Sequence, residues 1–203
     1  KLDSRSARDR ENTADHIWDL AANDKMPKSL ALVALRSCLS DSNEFVRMVG
    51  VDALAEIGDS TDFYRVLRLL EDSSWFVRSS VVDVLPQLSL KRAMRYLKTA
   101  AVKDSHWVVR RKATVEMDRY PPTEVQDFLI ERLDKEKDED VIMGISHTLT
   151  LFGYEPAIPI WIKFIADPFF VEVRDRQRPV IERFQRRETV SPNLPARSRR
   201  RGG

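Results

Sequence analysis

The sequence has little of what stabilises small secreted or turn-rich proteins. Its 203 residues include one cysteine, Cys38, so no disulfide can form within the chain. Six glycines are few for a barrel or a sandwich, because those folds need many tight turns. Cys38 lies in the apolar run Leu30–Leu39, which predicts a buried, unreactive thiol and favours a reducing compartment, the cytoplasm.

The usual signatures of catalysis and membrane insertion are also missing. No phosphate-binding loop, dinucleotide-binding glycine motif, nucleophile elbow or zincin helix occurs. No two of the three histidines have the short spacing of a metal site, and the acids of Asp134–Asp140 alternate with lysines as in a solvated turn. No apolar run is long enough to span a membrane. We therefore predict no catalytic residues, no metal, no cofactor and no membrane partner.

What the sequence does contain is one short segment in several copies. The copies are Asp41–Arg47, Asp72–Arg78, Asp104–Arg110 and, more loosely, Pro168–Arg174, with Glu136–Ile142 in the remaining gap. Each carries a valine at the same place: Val46, Val77, Val109, Val141 and Val173, separated by 31, 32, 32 and 32 residues. A fixed period of this length indicates stacked copies of one supersecondary unit.

Each unit is predicted to be a pair of helices. After every marker valine, apolar residues recur at steps of three and four, the spacing of one helix face, and a second amphipathic stretch precedes it. Helix breakers follow at matching places: Gly58, Ser89, Pro121 with Pro122, and Gly153. The two glycines are expected to adopt the left-handed conformation that ends a helix. Before the first unit, Thr13–Ala22 is interpreted as a lone capping helix.

The repeated segment also predicts caps and a ladder of charges. Asn43, Ser74 and Asp138 stand three residues before the valine and are good helix caps, whereas His106 and Phe170 are poor ones. The acids and arginines of the segment recur one unit apart: Asp41, Asp72, Asp104, Glu136, Arg47, Arg78, Arg110 and Arg174. Each acid is expected to meet an arginine from its own or the next unit, which favours a structural role for these arginines over phosphate binding.

The pattern of an acid, four variable residues, valine and arginine resembles the short HEAT-like repeats of phycobilisome lyase proteins and of bacterial and archaeal scaffolds. The resemblance covers Pro27 to Arg187. It implies an all-α right-handed superhelix of about five helix pairs. The predicted organisation is a capping helix in residues 1–26, repeats at 27–58, 59–89, 90–121, 122–153 and 154–187, and a disordered basic tail at 188–203.

Aromatic residues depart from this family pattern at the helix starts. Trp75 and Trp107 occupy equivalent positions two residues before the marker valine, and Phe45 and Phe76 stand one residue before it. The family usually has small polar residues, proline or a charge there. Two interpretations remain open, packing between repeats or a strip along one edge that binds a partner, and our functional hypothesis is the second.

The surface of the second helices is the other candidate for partner binding. It would be formed by residues between the buried positions: Met48, Asp52, Ser79, Asp83, Arg111, Thr114, Gly144 and His147. Repeat arrays commonly bind along such a concave face. Among these residues, Arg111 is placed with Phe45, Trp75, Phe76 and Trp107 as a partner-binding candidate.

Positive charge is concentrated at the end of the chain. Residues 174–203 hold ten arginines against three acids, a balance of +7, so the rest of the chain carries about −5. Six of these arginines are weaker candidates for contacting nucleic acid or an acidic partner: Arg183, Arg186, Arg187, Arg199, Arg200 and Arg201. Pro179 is expected to interrupt the last helix, which spans Glu172–Arg187.

Together these features favour a non-catalytic scaffold or adaptor that binds a protein partner and is itself a monomer. Two alternatives stay open. The resemblance to phycobilisome lyases implies a lyase-like subunit acting on a bilin-bearing protein, although no residue singles out bilin chemistry. A nucleic-acid-binding array that uses the basic C-terminal end is the other.

Overall fold

In the computed structural model, which describes residues 2–166 and Glu182, every regular element is a helix. The helices in chain order are α1 Ala7–Ala22, α2 Lys28–Cys38, α3 Glu44–Ile57, α4 Phe63–Leu67, α5 Trp75–Lys103, α6 Trp107–Val115, α7 Pro122–Lys135, α8 Glu139–Leu151 and α9 Ile158–Ile165. Short 3₁₀ turns follow α4 and α6 and precede α9, at Arg68–Glu71, Glu116–Arg119 and Glu155–Ala157. The predicted second helix of the fifth repeat, with Val173 and Pro179, lies outside the described residues.

The long helix α5 is two helices joined end to end. Ser89 has extended backbone angles, φ −164° and ψ 95°, and interrupts the helical path. The first half of α5, residues 75–88, is the second helix of one pair, and the second half, residues 90–103, is the first helix of the next. The break falls where the sequence predicts it. Pro86 lies just before it, in the first half of α5.

The helices stack as a double row. The first helices (α2, α4, the second half of α5, and α7) each pack on the second helix that follows. The second helices α3, α5, α6 and α8 also pack on one another in order, with α1 against α3, whereas no comparably close packing joins α2 to α4 or α7 to α5. The row of second helices is therefore tight, and the row of first helices is open.

The core lies between the two rows. The marker valines Val46, Val77, Val109 and Val141 are fully buried, as predicted, and Val173 lies outside the described residues. Apolar side chains at helical spacing surround them in three clusters that run along the stack. Cys38 is also buried, and burial raises the pKa of its thiol to about 11, which keeps it protonated and unreactive.

A ladder of ion pairs connects consecutive repeats along one edge. The guanidinium of Arg47 makes two hydrogen bonds of 2.7 Å to the carboxylate of Asp72 in the next repeat, and Arg78 binds Asp104 in the same way at 2.8 and 2.9 Å. Arg110 approaches Glu136 at 3.4 Å. The predicted ladder is confirmed, and its direction is now fixed, since each arginine binds the acid of the following repeat.

Each ladder residue has a second task in its own loop. Arg47 also donates to the backbone carbonyl of Asp41, at 2.8 Å, and the carboxylate of Asp41 accepts from the amide of Asn43 at the same distance. Arg78 repeats these contacts on Asp72, whose carboxylate accepts from the Ser74 amide at 2.9 Å. One guanidinium therefore binds the acid of the next repeat and also the backbone carbonyls of the loop before its own helix.

The ladder begins earlier than the repeats found in the sequence. Arg10 of α1 makes two bonds of 2.7 Å to Asp41, and its remaining donors reach the carbonyls of Ser4 and Arg5. The Ser4 hydroxyl accepts from the Ser6 amide at 3.2 Å, in the place that a carboxylate takes elsewhere. Helix α1 starts at Ala7, six residues before the predicted start at Thr13, and makes the contacts of a second helix.

The helix caps agree with the sequence only in part. Asn43 and Asp138 accept from first-turn amides, as predicted. Ser74 occupies the cap position without a side-chain cap bond, so that prediction is wrong; its amide still donates to the carboxylate of Asp72 at 2.9 Å. The prediction that His106 is a poor cap is also wrong, since its Nδ1 accepts from the Val108 amide at 3.3 Å. Phe170 lies outside the described residues.

The two glycines at helix ends behave differently from each other. Gly153 has φ 78°, the left-handed conformation predicted for it. Gly58 has φ −75° and ψ −176°, so the same prediction is wrong there. Gly58 is favoured for another reason, because a Cβ at this position would lie 2.4 Å from the carbonyl oxygen of Leu54.

We expect the ladder to contribute more to stability than exposed ion pairs do. The side chains of Arg47 and Asp72 are 13% and 6% exposed, so Asp72→Ala leaves a nearly buried guanidinium without its partner and should cost about 3 kcal/mol. Glu131→Ala is the control, because its pair with Lys135 is 62% exposed on both sides and should contribute little to stability. Urea unfolding at neutral pH measures both, and equal losses would contradict the role of the ladder.

The ladder also predicts acid lability. The hydrogen bond from Arg10 lowers the pKa of Asp41, and although burial alone would raise the pKa of Asp72 and of Asp104, arginine and amide donors outweigh it and lower both. A carboxyl whose folded pKa is depressed stabilises the fold above its unfolded pKa, about 3.9 for aspartate, and this contribution disappears as pH falls through the folded pKa. The free energy of unfolding should therefore drop below about pH 4. The drop should be smaller in Asp72→Ala, and a drop of the same size would rule out this origin.

Candidate functional site

Five aromatic rings form one continuous strip along the ladder edge. In spatial order they are Phe45, Phe76, Trp75, His106 and Trp107, and we call them the ring strip. Trp75 stacks on Phe76 with ring centroids 3.8 Å apart, and His106 stacks parallel to Trp75 at 4.2 Å. The ends are looser, with Phe45 6.1 Å from Phe76 and Trp107 6.0 Å from His106.

The helix starts place these rings in line. Trp75 and Trp107 are the first residues of α5 and α6, and Phe45 and Phe76 are the second residues of α3 and α5. Since the ladder holds the loops before these helices in register, successive helix starts lie side by side. The strip therefore spans three repeats and follows from the repeat geometry.

The ring strip is partly packed and partly exposed. It therefore combines the two arrangements left open by the sequence, packing between repeats and an accessible strip along one edge. Phe45 and Phe76 are each 39% exposed, and Trp107 is 36% exposed. Trp75 is half-buried and packs against the core beside Leu70. The strip thus has an anchored centre and an accessible margin, an arrangement typical of residues that dominate protein interfaces.

His106 is the residue of the strip that sequence reasoning missed. Its ring bridges the two tryptophans while its Nδ1 caps α6. The available signal is its position three residues before the marker valine and directly before Trp107, because imidazole is an aromatic ring as well as a hydrogen-bonding group.

Arg111, the fifth predicted partner-binding residue, does not join the strip. Its side chain crosses α8, where a Cβ on Gly144 would lie 2.9 Å from its Cγ. It contributes to the environment of His147, whose pKa is lowered mainly by burial and further by the Arg111 charge. Arg111 therefore belongs to the row of second helices.

The surface predicted for the second helices needs correction. Ser79, Thr114 and Gly144 are buried between neighbouring second helices, because those helices pack too closely to leave them accessible. The remaining residues of that surface are half-buried and carry charge of both signs, with Asp52 and Asp83 acidic and Arg111 basic. Asp15, Asp52 and Asp83 each stand nine residues after the N-cap of their helix, so they form a column across three repeats.

The acids of this column are only partly neutralised. Burial raises the pKa of Asp52, and a hydrogen bond from Ser80 opposes that rise. Asp83 pairs with Lys112 of the next second helix, and Glu116 follows, its pKa raised mainly by burial. Nothing in this arrangement holds two carboxylates as an acid and base pair about a shaped cavity.

Two searches of the described residues bear on other kinds of site. Over residues 2–166 and Glu182, no group of histidine, cysteine, aspartate and glutamate side chains is arranged to hold a metal ion. Within the same part of the chain, no helix combines the length and apolar character needed to cross a bilayer. The basic candidates Arg183, Arg186, Arg187, Arg199, Arg200 and Arg201 lie outside the described residues.

Part of the chain is similar to a known family of helical repeats. Residues 32–118 match the family model of HEAT repeats. A designed armadillo repeat protein has a similar structure, with a TM-score of 0.52 and 20% identity over 89% of this chain and 95% of that chain. An engineered protein with a crystal structure from the Northeast Structural Genomics Consortium gives 0.49 at 14% identity, covering 91% and 94%. No curated protein matches the sequence.

These matches show an all-α helical repeat superhelix of the HEAT and armadillo kind, as the sequence predicts. The designed armadillo protein is a guide to the fold alone. The narrower assignment to the phycobilisome lyase type remains a prediction, because the match is to HEAT repeats in general.

We expect the two roles of His106 to separate by mutation. Asparagine is a good cap without an aromatic ring, so His106→Asn should keep the stability of α6 while it changes the near-ultraviolet circular dichroism of the stacked tryptophans. His106→Ala should change the same spectrum and also lower the free energy of unfolding by about 1 kcal/mol. An unchanged spectrum in both variants would show that His106 does not stack in solution.

Proposed function

We propose that this HEAT-repeat chain is a non-catalytic scaffold that binds a protein partner through the ring strip. The observation that carries the proposal is the continuity of five rings across three repeats, with Phe45, Phe76 and Trp107 accessible at its margin. Large rigid aromatic side chains lose little conformational entropy on binding, and they supply much of the energy of protein interfaces.

The support under the strip favours binding over incidental exposure. Trp75 is anchored in the core, and the ladder pairs Arg47–Asp72 and Arg78–Asp104 fix the loops from which the rings project. A partner that covers the strip therefore meets a preorganised surface, which lowers the entropic cost of association. Because the ladder charges neutralise one another, they add little net field, so apolar contact should dominate recognition there.

Truncating the accessible rings should remove binding without unfolding the chain. The test variant is Phe45→Ala/Phe76→Ala/Trp107→Ala, which leaves the anchored Trp75 and the cap His106 in place. The control is Leu30→Ala/Val33→Ala, which removes exposed apolar side chains, 60% and 68% accessible, from α2 away from the strip. Tagged chains are used to capture proteins from a lysate of the cells that produce the protein, and captured proteins are quantified by mass spectrometry.

The expected outcome is a set of proteins captured equally by the wild type and the control and depleted by roughly thirtyfold or more in the triple variant, as for a hot spot worth about 2 kcal/mol. Circular dichroism confirms that all three chains are folded. Equal capture by a folded triple variant would overturn the proposal. A defect shared by the control would assign binding to a general apolar effect and would overturn it as well.

A further inference from the structure

A groove opens on the opposite row, between two first helices. Helix α4 is only five residues long and ends in the 3₁₀ turn Arg68–Glu71, so it is shorter than the second half of α5 beside it. The space left between them is about 590 Å³, within the range of sites that accept a ligand or an anchoring side chain. Leu67, Leu70 and Ala100 line it with apolar surface.

Two cations stand at the rim of this groove. Arg68 and Lys103 stand on its two sides, and neither has an ion-pair partner among residues 2–166 and Glu182. Two acids also line the groove. Asp104 is already neutralised by Arg78 at 2.8 Å, which leaves Glu71 as the opposing charge. The groove itself therefore has a small positive excess.

The surrounding surface enlarges that excess. The second half of α5 carries Lys91, Arg92, Arg95, Lys98 and Lys103 and no acid at all. On the α4 side, Asp62 is held by Arg36 at 2.7 Å and by Arg65 at 3.3 Å, so it does not offset these charges. The first helices here are basic, whereas the acidic column of Asp15, Asp52 and Asp83 lies on the opposite row.

We propose that this groove binds an acidic segment of a partner protein, with an apolar side chain of the segment in the groove and its carboxylates on Arg68 and Lys103. An apolar floor between two unpaired cations matches a peptide that alternates apolar and acidic residues. Buried apolar contact supplies affinity, and the basic surface attracts the segment and sets its orientation. This is a second surface, separate from the ring strip.

A nucleic acid fits the same surface less well. A phosphate backbone needs a line of available cations. Several of the basic side chains here are instead engaged in contacts within the protein. Lys98 donates to the carbonyl of Glu124 at 3.0 Å, and Arg92 lies over the rings of Phe63 and Tyr64 at 5.9 and 5.6 Å. Arg95 lies over Tyr96, 4.5 Å from its centroid.

Selection from a displayed library of random peptides tests the groove with a defined probe. The test variant is Arg68→Glu/Lys103→Glu. The control is Lys25→Glu/Lys28→Glu, which makes the same change in net charge on two exposed residues, one in the loop after α1 and one at the start of α2. Peptides enriched on the wild-type chain should combine apolar residues with aspartate or glutamate. Fluorescence anisotropy should show a loss of affinity of roughly tenfold or more in the groove variant, little change in the control, and weakening by salt.

Further arms of the same experiment can overturn the proposal. A selected peptide with its apolar residues replaced by serine should lose binding, and retained binding would show a general attraction for anions. The chain is also tested with a single-stranded oligothymidine. If it binds this probe more tightly than the peptides, and the groove variant loses that binding, the groove is a nucleic-acid surface. Failure to enrich acidic peptides would also contradict it. The ring-strip triple variant should keep peptide binding, so each of the two surfaces can fail without the other.

Discussion

A guanidinium shared between two repeats is the contact on which the rest of this structure depends. In the pair Arg47–Asp72, the arginine binds the carboxylate of the next repeat and the loop carbonyls of its own, and the carboxylate in turn binds the amide of Ser74. Loop shape, helix start and the placing of one repeat on the next are thus fixed by one hydrogen-bonded unit. Both side chains are nearly buried, so the loss of either would leave a charge without compensation.

Fixing the repeats along one edge divides the molecule into surfaces of different chemistry. At the ladder edge the charges cancel, and the ring strip presents apolar area. On the second helices the equivalent positions of Asp15, Asp52 and Asp83 line up as an acidic column. The first helices, which pack less closely on one another, leave the basic groove beside Arg68 and Lys103. A single repeat array can therefore present chemically different surfaces on its different faces.

Much of this architecture follows from the sequence, because period, helix spacing and paired charges are local or regularly recurring signals. The marker valines located the core, and the recurring acids and arginines predicted the ladder. Errors arose where a residue's role depends on contacts that the repeat pattern does not show. Thr114 is buried by α8, Ser74 makes no side-chain cap bond, and Gly58 is favoured because a Cβ there would lie 2.4 Å from the carbonyl oxygen of Leu54.

The candidate site was only partly predictable for the same reason. The positions of Trp75 and Trp107 pointed to an edge strip, but the bridging by His106 requires knowledge of the distance between consecutive helix starts. Arg111 lies on a second helix, α6, and its position in the sequence does not reveal that its side chain crosses Gly144 of α8. The basic groove depends on the shortness of α4, which ends early in a 3₁₀ turn that periodicity does not detect.

The ladder has a direction, and that direction bears on how such a chain grows. A repeat such as residues 59–89 carries one acceptor, Asp72, facing backwards and one donor, Arg78, facing forwards. Duplication of its coding segment would insert a unit whose acid pairs with the preceding repeat and whose arginine pairs with the following one. Every arginine of the ladder would still have an acid to bind. The sequence also shows the converse, since Ile142 replaces the next arginine and Pro168 stands where its acceptor would be. In this chain the fourth donor and its acceptor are therefore absent together.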